Sequence, residues 1–213
     1  PYGAATRNPF NYVKAEQIGR DVVTPWLTLD EITNQINLFE DESQDGYLQS
    51  LELAVRQAIE DYLGLSIFSV TYRVWYGAEN LATSPVCLDL PEVSQNADSL
   101  LAGVTITALK YWSDDFPPTL VTVDPSQYYY DNSGNKLIVQ SLPTSINSSM
   151  TAPILIDYST VSNPLANYPV IKQAGLLLLT HLYNNRSDTT DAKLNNIPFG
   201  VSTLLRPYKP LVM

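Results

Sequence analysis

The twelve residues DESQDGYLQSLE, 41 to 52, place oxygen-bearing side chains at positions 1, 3, 5 and 12 and glycine at position 6. That is the outline of an EF-hand loop. In such a loop Asp41, Ser43, Asp45 and Glu52 would offer side-chain oxygens to calcium, Tyr47 its carbonyl, and Gly46 the sharp turn. The competing reading is a turn between two antiparallel helices, with Ser43 or Asp45 capping the second and carboxylates favoured near its N-terminal dipole. EF-hand loops work in pairs, and the chain has no second one. Asn37 and Glu40 also stand where an incoming EF-hand helix would place apolar residues. The expectation is the helix-to-helix turn with no metal, and calcium is the alternative.

The other residues capable of chemistry form no constellation. There is no GxGxxG, P-loop, GxSxG or HExxH pattern, so no cofactor and no enzyme class is indicated. Cys87 is the single cysteine and His181 the single histidine, which excludes an internal disulfide and a Cys/His zinc site. His181 falls within an apolar helical run, where a hydrogen-bonded helix-face residue is expected rather than a catalytic one. Asp114 and Asp115 are adjacent, so in a strand they would point to opposite faces, and a solvated turn before Pro117 and Pro118 is expected. Tyr128, Tyr129 and Tyr130 have no basic neighbours to hold a nucleic-acid backbone over them, which leaves packing or protein contact. The rival from another class is a small hydrolase or carbohydrate-binding module using carboxylates such as Asp89, Glu92 or Asp157. The sequence places no pair of them at catalytic distance.

Composition narrows the classes further. The 213 residues are 45% apolar, enough for a sizeable core, and carry a net charge of −10 with only 12 basic residues. That balance argues against gripping nucleic acid by its phosphates. The longest strictly apolar run, Leu176 to Leu179, is far short of the ~20 residues of a membrane span, and no signal-peptide pattern opens the sequence. A soluble protein made inside the cell is expected. Fifteen prolines and 14 tyrosines stand beside only 9 glycines.

The elements that must position these residues are readable in outline. Residues 1–26 show no sustained period and carry Pro1, Pro9 and Pro25, which predicts an extended arm whose Phe10, Tyr12 and Trp26 lie on a neighbour. Thr28 and Glu31 form a capping box before Ile32, Ile36 and Phe39, which predicts a helix of three turns. Leu48, Leu51, Val55, Ile59 and Leu63 then share one helical face up to Gly64, with Arg56 and Glu60 as an i, i+4 pair on or near the polar side.

From about 67 to 160 the segments SVTYRVWYG, VTITALKYW, PSQYYYD, KLIVQ and APILIDYS alternate, and DNSGN at 131–135 marks a hairpin turn. One antiparallel sheet of five strands is expected. YPVIKQAGLLLLTHLYNNRS, 168–187, returns to a buried helix, expected to pack Ile171, Leu178 and Leu182 on Leu51, Val55 and Ile59. Val201, Leu204 and Leu205 suit a short last helix that Pro207 ends.

The fold class is therefore α+β. It is an antiparallel helical bundle of two N-terminal helices, one long and one short C-terminal helix, with an inserted small antiparallel β-sheet. Its expected divisions are an arm at 1–26, a helical core at 27–66 and 165–205, the insert at 67–160 and an extended tail at 206–213. Eight extended residues reach up to ~26 Å. In that tail Arg206 and Lys209 would meet acidic groups, Tyr208 and Leu211 would fill apolar pockets, and Pro207 and Pro210 would keep it out of a helix.

In order and spacing, LTLDEI (27–32), YLQSLELAVRQAIEDYLG (47–64), TYRVWY, YPVIKQAGLLLLTHLYNNR (168–186) and IPFGVSTLLRPYK (197–209) resemble the head-to-tail connector, or adaptor, proteins of tailed phages. The likeness is to the longer members with a β insertion. It implies a ring, commonly of twelve copies, docked beneath the portal protein and continuing the DNA channel toward a stopper, tail terminator or tail tube. The genome would pass without specific binding and no membrane would be involved. It further implies that Arg206 to Met213 reach the portal, that 41–46 is a turn and not a calcium site, and that the protein resides at the neck of a virion assembled in the host cytoplasm. An acidic ring wall is consistent with that role, because it repels the DNA backbone and lets it slide. The 26-residue arm and Gly175, where a helix former is usual, depart from the family pattern.

Overall fold

The computed structural model describes residues 11–38, 42–77, 85–94, 103–185 and 199–209. The chain forms two compact units, one of Asp21–Phe68 with Ser162–Met213, the other of Pro1–Arg20 with Ser69–Val161. Helices and antiparallel sheets are both present, so the protein is α+β.

The helical unit contains α1 (Leu29–Ile36), α2 (Asp45–Leu63), α3 (Pro169–Asn184) and α4 (Phe199–Leu205). The start of α1 is written locally: Thr28 Oγ1 accepts from the Glu31 N–H while the Glu31 carboxylate accepts from the Thr28 N–H. Its end is nearer than the expected three turns. Asn37 adopts the left-handed conformation with φ 56° and closes the helix after Ile36, because the short Asn side chain tolerates that region. Phe39 lies outside the described residues. At the end of α2, Gly64 takes φ 69° and donates its N–H to the Glu60 carbonyl, the left-handed closure glycine permits without steric cost.

Leu48, Val55, Ile59 and Leu63 of α2 are buried in one core with Ile171, Leu178 and Leu179 of α3 and Val201 and Leu205 of α4; Leu51 and Leu182 pack against its margin. Trp26 is the correction to the expected arm. It is 5% exposed inside this core and donates Nε1–H to the Ala166 carbonyl at 2.9 Å. Gly175 explains how so large a ring reaches α3. A Cβ there would lie 2.7 Å from Trp26 Cζ3 and 3.3 Å from Leu27 Cδ1. Gly175→Ala should regain up to about 1 kcal/mol of helix propensity and lose about 1–3 to the clash with a ring pinned by its own hydrogen bond. A net loss of stability in urea unfolding is expected, and a gain would show that the ring yields.

The β unit holds, among the described residues, β1 (Tyr12–Arg20), β2 (Val70–Tyr76), β3 (Val86–Asp89), β4 (Val104–Trp112), β5 (Leu120–Thr122), β6 (Tyr128–Asp131), β7 (Lys136–Val139) and β8 (Ile154–Thr160). They form two antiparallel sheets rather than the expected one, in the orders β1-β2-β8-β4-β5 and β3-β7-β6. The hairpin of β6 and β7 pairs within itself and with β3, so two of the five anticipated strands leave the larger sheet. Inner-face residues of both sheets, among them Val74, Tyr76, Leu88, Leu109, Leu137 and Ile156, share one core. In the central strand β8 both faces are buried, whereas β2 alternates regularly. Residues 12–20, expected within an extended arm lying on a neighbour, are extended but pair within the chain itself, as the edge strand β1 registered against β2 from Tyr12–Tyr76 to Arg20–Val70. Phe10 lies outside the described residues.

Candidate functional site

The carboxylates that could have done chemistry are each held by neighbours. Asp157 sits on the outer face of β8, where Arg73 of β2 donates from Nε at 2.7 Å and Lys110 of β4 from Nζ at 2.9 Å. Burial alone would raise its pKa, but these two cations outweigh it and hold the carboxyl below its usual value. Asp89 pairs with Lys136 at 3.1 Å and accepts the Asn11 N–H, while Asn11 Nδ2 donates to the Cys87 carbonyl. Glu92 accepts the hydroxyl of Tyr72, whose ring stacks on Tyr158 with centroids 5.5 Å apart. Burial first, and Glu92 second, push the Tyr72 hydroxyl well above the ordinary tyrosine range. Each of these carboxylates is thus engaged as a structural clasp within the β unit.

The remaining candidates fall out in the same way. Asp114 and Asp115 are exposed in the turn after β4. His181 lies near the end of α3 with Nδ1 3.5 Å from Asn185 Nδ2. Tyr129 is 63% exposed on β6, while Tyr128 and Tyr130 pack inward.

The calcium reading fails at position 12 of its own motif. Glu52 is buried, and its Oε1 accepts from the N–H groups of Trp26 at 2.9 Å and Leu27 at 3.3 Å. A carboxylate turned to the chain before α1 does not close a loop at the start of α2. Ser43 lies in a turn of 3-10 helix, Asp45 opens α2, and Asp41 is outside the described residues.

Glu52 belongs to a row the sequence reading missed. Glu52, Arg56 and Glu60 lie at i, i+4 and i+8 of α2, and all three are buried, Arg56 and Glu60 included, which were expected near the polar side. Arg56 donates to the carbonyls of Thr24 and Asp21, both at 2.6 Å, and lies over the Phe68 ring at 4.9 Å. Glu60 accepts the Ile67 N–H at 2.8 Å. The row therefore fixes the backbone leading into the helical unit at 21–27 and leaving α2 at 64–67, satisfying groups that burial would otherwise penalise. Burial pushes the Glu52 carboxyl up, against the two N–H groups that favour its charge. Asp21 at the start of this segment behaves oppositely. The Thr24 N–H, with that of Val23, holds its carboxyl down to about 2. Its stabilising contribution is present above the ordinary value of 3.8 and disappears as pH falls through about 2. Asp21→Ala should therefore flatten the acid limb of a Tm-versus-pH curve in that window, and an unchanged limb would refute the assignment.

Beside this row an apolar groove of about 400 Å³ is lined by Val23, Pro25, Leu27, Leu29, Ile32, Gln49, Glu52 and Leu53. Val23 is 86% exposed at its edge. The expected tail also departs from expectation: Arg206–Tyr208 form a 3-10 turn continuing α4. Pro207 is accommodated there because the first turn of a helix needs no N–H and suits its fixed φ. Tyr208 meets Tyr168 edge-on at 5.7 Å, and Lys209 Nζ lies 5.3 Å from the Tyr62 ring centroid. Leu211 lies outside the described residues.

No family model matches the sequence, and no curated protein matches it either. Solved structures do match the fold. The chain superposes on one from the neck of an empty GTA particle computed with C6 symmetry, with TM-score 0.62 and 20% identity over 94% of this chain and 97% of that one. A chain from the neck of the native GTA particle computed with C12 symmetry gives TM-score 0.60 and 19% identity over 94% and 97%. One from the virion of the native gene transfer agent (GTA) particle gives 0.55 and 19% over 93% and 96%. At these identities the likeness is one of fold, and it extends through both units.

Proposed function

We propose that this chain is a structural neck protein of a phage-like particle, without catalysis, that assembles into a ring, twelve copies being the expected number. The ring docks beneath the portal, joins the DNA-filled head to the next neck or tail component and continues the DNA channel. The helices form the connector core, Ser69–Val161 are an insertion in it, and the N-terminal strand β1 completes the β unit. The observation that carries this reading is the fold likeness over 94% of this chain and 97% of a neck chain. The net charge of −10 supports it, because an acidic wall lets a phosphate backbone slide where a basic one would hold it.

The stretch Arg206 to Met213 is the proposed portal contact. Tyr208 and Lys209, already packed on Tyr168 and Tyr62, form its base. Assembly takes place in the host cytoplasm and the protein ends in the virion. Electron microscopy of particles carrying a tagged copy tests this directly: label at the head-to-tail junction as a ring around a channel is expected. Label on the capsid shell or at the distal tail would defeat the reading.

A further inference from the structure

Copies that each carry −10 repel one another, so contacts between them should be made through surface that is neutral and apolar. Two such surfaces stand out on the helical unit. The first is the solvent face of α3, where Val170, Gln173 and Leu177 are exposed at i, i+3 and i+7, both Val170 and Leu177 at 37%. This row carries no Asp, Glu, Lys or Arg, and the nearby Lys172 is spent on Glu31 at 2.9 Å. The second is the groove of about 400 Å³ lined by Val23, Pro25, Leu27, Leu29, Ile32 and Leu53. Its one ionisable lining residue, Glu52, turns Oε1 to the Trp26 and Leu27 N–H groups.

One surface is a ridge and the other a trough. A helix seats in an apolar groove by anchors at i, i+3 and i+7, which here span roughly 10 Å. Gln173 on the ridge and Gln49 in the lining of the trough are both uncharged. Because ridge and trough are different patches of the same chain, their union is head-to-tail. That is the class of contact that closes rings, whereas a self-complementary patch stops at a two-fold dimer.

We infer that the occupant of the groove is a second copy of this chain: Val170, Gln173 and Leu177 of one copy seat against Val23, Leu29 and Leu53 of the next. This deepens the ring reading and rests on it. A basic partner protein would select the acidic surface instead, and the test below separates the two.

In a Cys87→Ser background, two full-length versions with different tags carry Leu177→Cys or Leu53→Cys, so that each chain has one thiol. Both are incorporated together, in concentrated protein or in particles, and oxidised. A disulfide-linked dimer bearing both tags is expected, in excess over 177–177 and 53–53 dimers. Leu177→Glu should keep the monomer's melting temperature, since the residue is exposed, yet weaken assembly roughly tenfold or more by placing a charge in an apolar contact. Rings that form without the mixed dimer, a dominant 177–177 dimer, or Leu177→Glu rings as stable as wild type would each overturn the inference while leaving the ring reading intact. Absence of any ring, alone or in particles, would overturn both.

Discussion

Trp26→Ala should destabilise the protein by about 3–5 kcal/mol, the range for removing a fully packed aromatic side chain. The ring is 5% exposed, and two of its carbons lie only 2.7 and 2.8 Å from the position a Cβ on Gly175 would take. No side chain on Gly175 can relax into the space the ring leaves, so the cavity persists. The Ala166 carbonyl also loses the indole N–H that now reaches it at 2.9 Å. The same geometry makes a second measurement decisive. Gly175→Ala is expected to be harmful with Trp26 present and neutral or helpful with Trp26→Ala, a change of sign that only two residues sharing one volume produce. A loss below about 1 kcal/mol for Trp26→Ala, or additive effects in the double variant, would mean that Trp26 is peripheral and the segment before α1 is free to leave the body.

What the sequence made legible was what it encodes locally. The capping box of Thr28 and Glu31, the left-handed stop at Gly64 and the turn at 131–135 depend on neighbours within a few residues, and all are in place, the last with Asn135 at φ 53°. The alternation of β2 was equally plain because one of its faces is covered and the other is not. β1 was illegible for the converse reason. Nearly all of YVKAEQIGR is exposed, so nothing forces apolar residues to alternate, and only its pairing with β2 makes it a strand. Which sheet a four-residue strand joins is likewise a long-range outcome, and the division into two sheets could not be read from spacing.

The site residues divide along the same line. The charges of Arg56 and Glu60 suggest a pair on or near the polar side of α2, yet their partners are backbone groups of Asp21, Thr24 and Ile67. One signal was available: Glu52 lies a full turn after Leu48 and a turn before Val55, inside the apolar row of α2. A carboxylate in that position must find a partner on another segment. Gly175 was the other signal. A glycine amid leucines in a helix marks a close approach, and the large side chain filling it was one of those assigned to the arm. The proline at 207 misled in the opposite direction, since a residue that ends an α-helix can also begin a 3-10 turn.

Leu178→Ala is expected to cost about 2–5 kcal/mol. Leu178 is 1% exposed on the face of α3 that packs in one cluster with Val55 and Ile59 of α2 and Leu205 of α4, with Ile32 of α1 in the same core. Because α3 is in contact with α1, α2 and α4, no single helix can slide in to close the void without opening another. The residue beside it provides the control. Leu177 is 37% exposed, one position and so a rotation of about 100° away, and Leu177→Ala in the isolated chain should cost under about 1 kcal/mol. The two leucines would thus separate folding from assembly, Leu178 acting on the urea midpoint of the monomer and Leu177 on the population of rings. If Leu178→Ala costs less than about 0.5 kcal/mol, α3 is not the core element of the helical unit, and a solvent face read from its burial pattern would lose its footing as well.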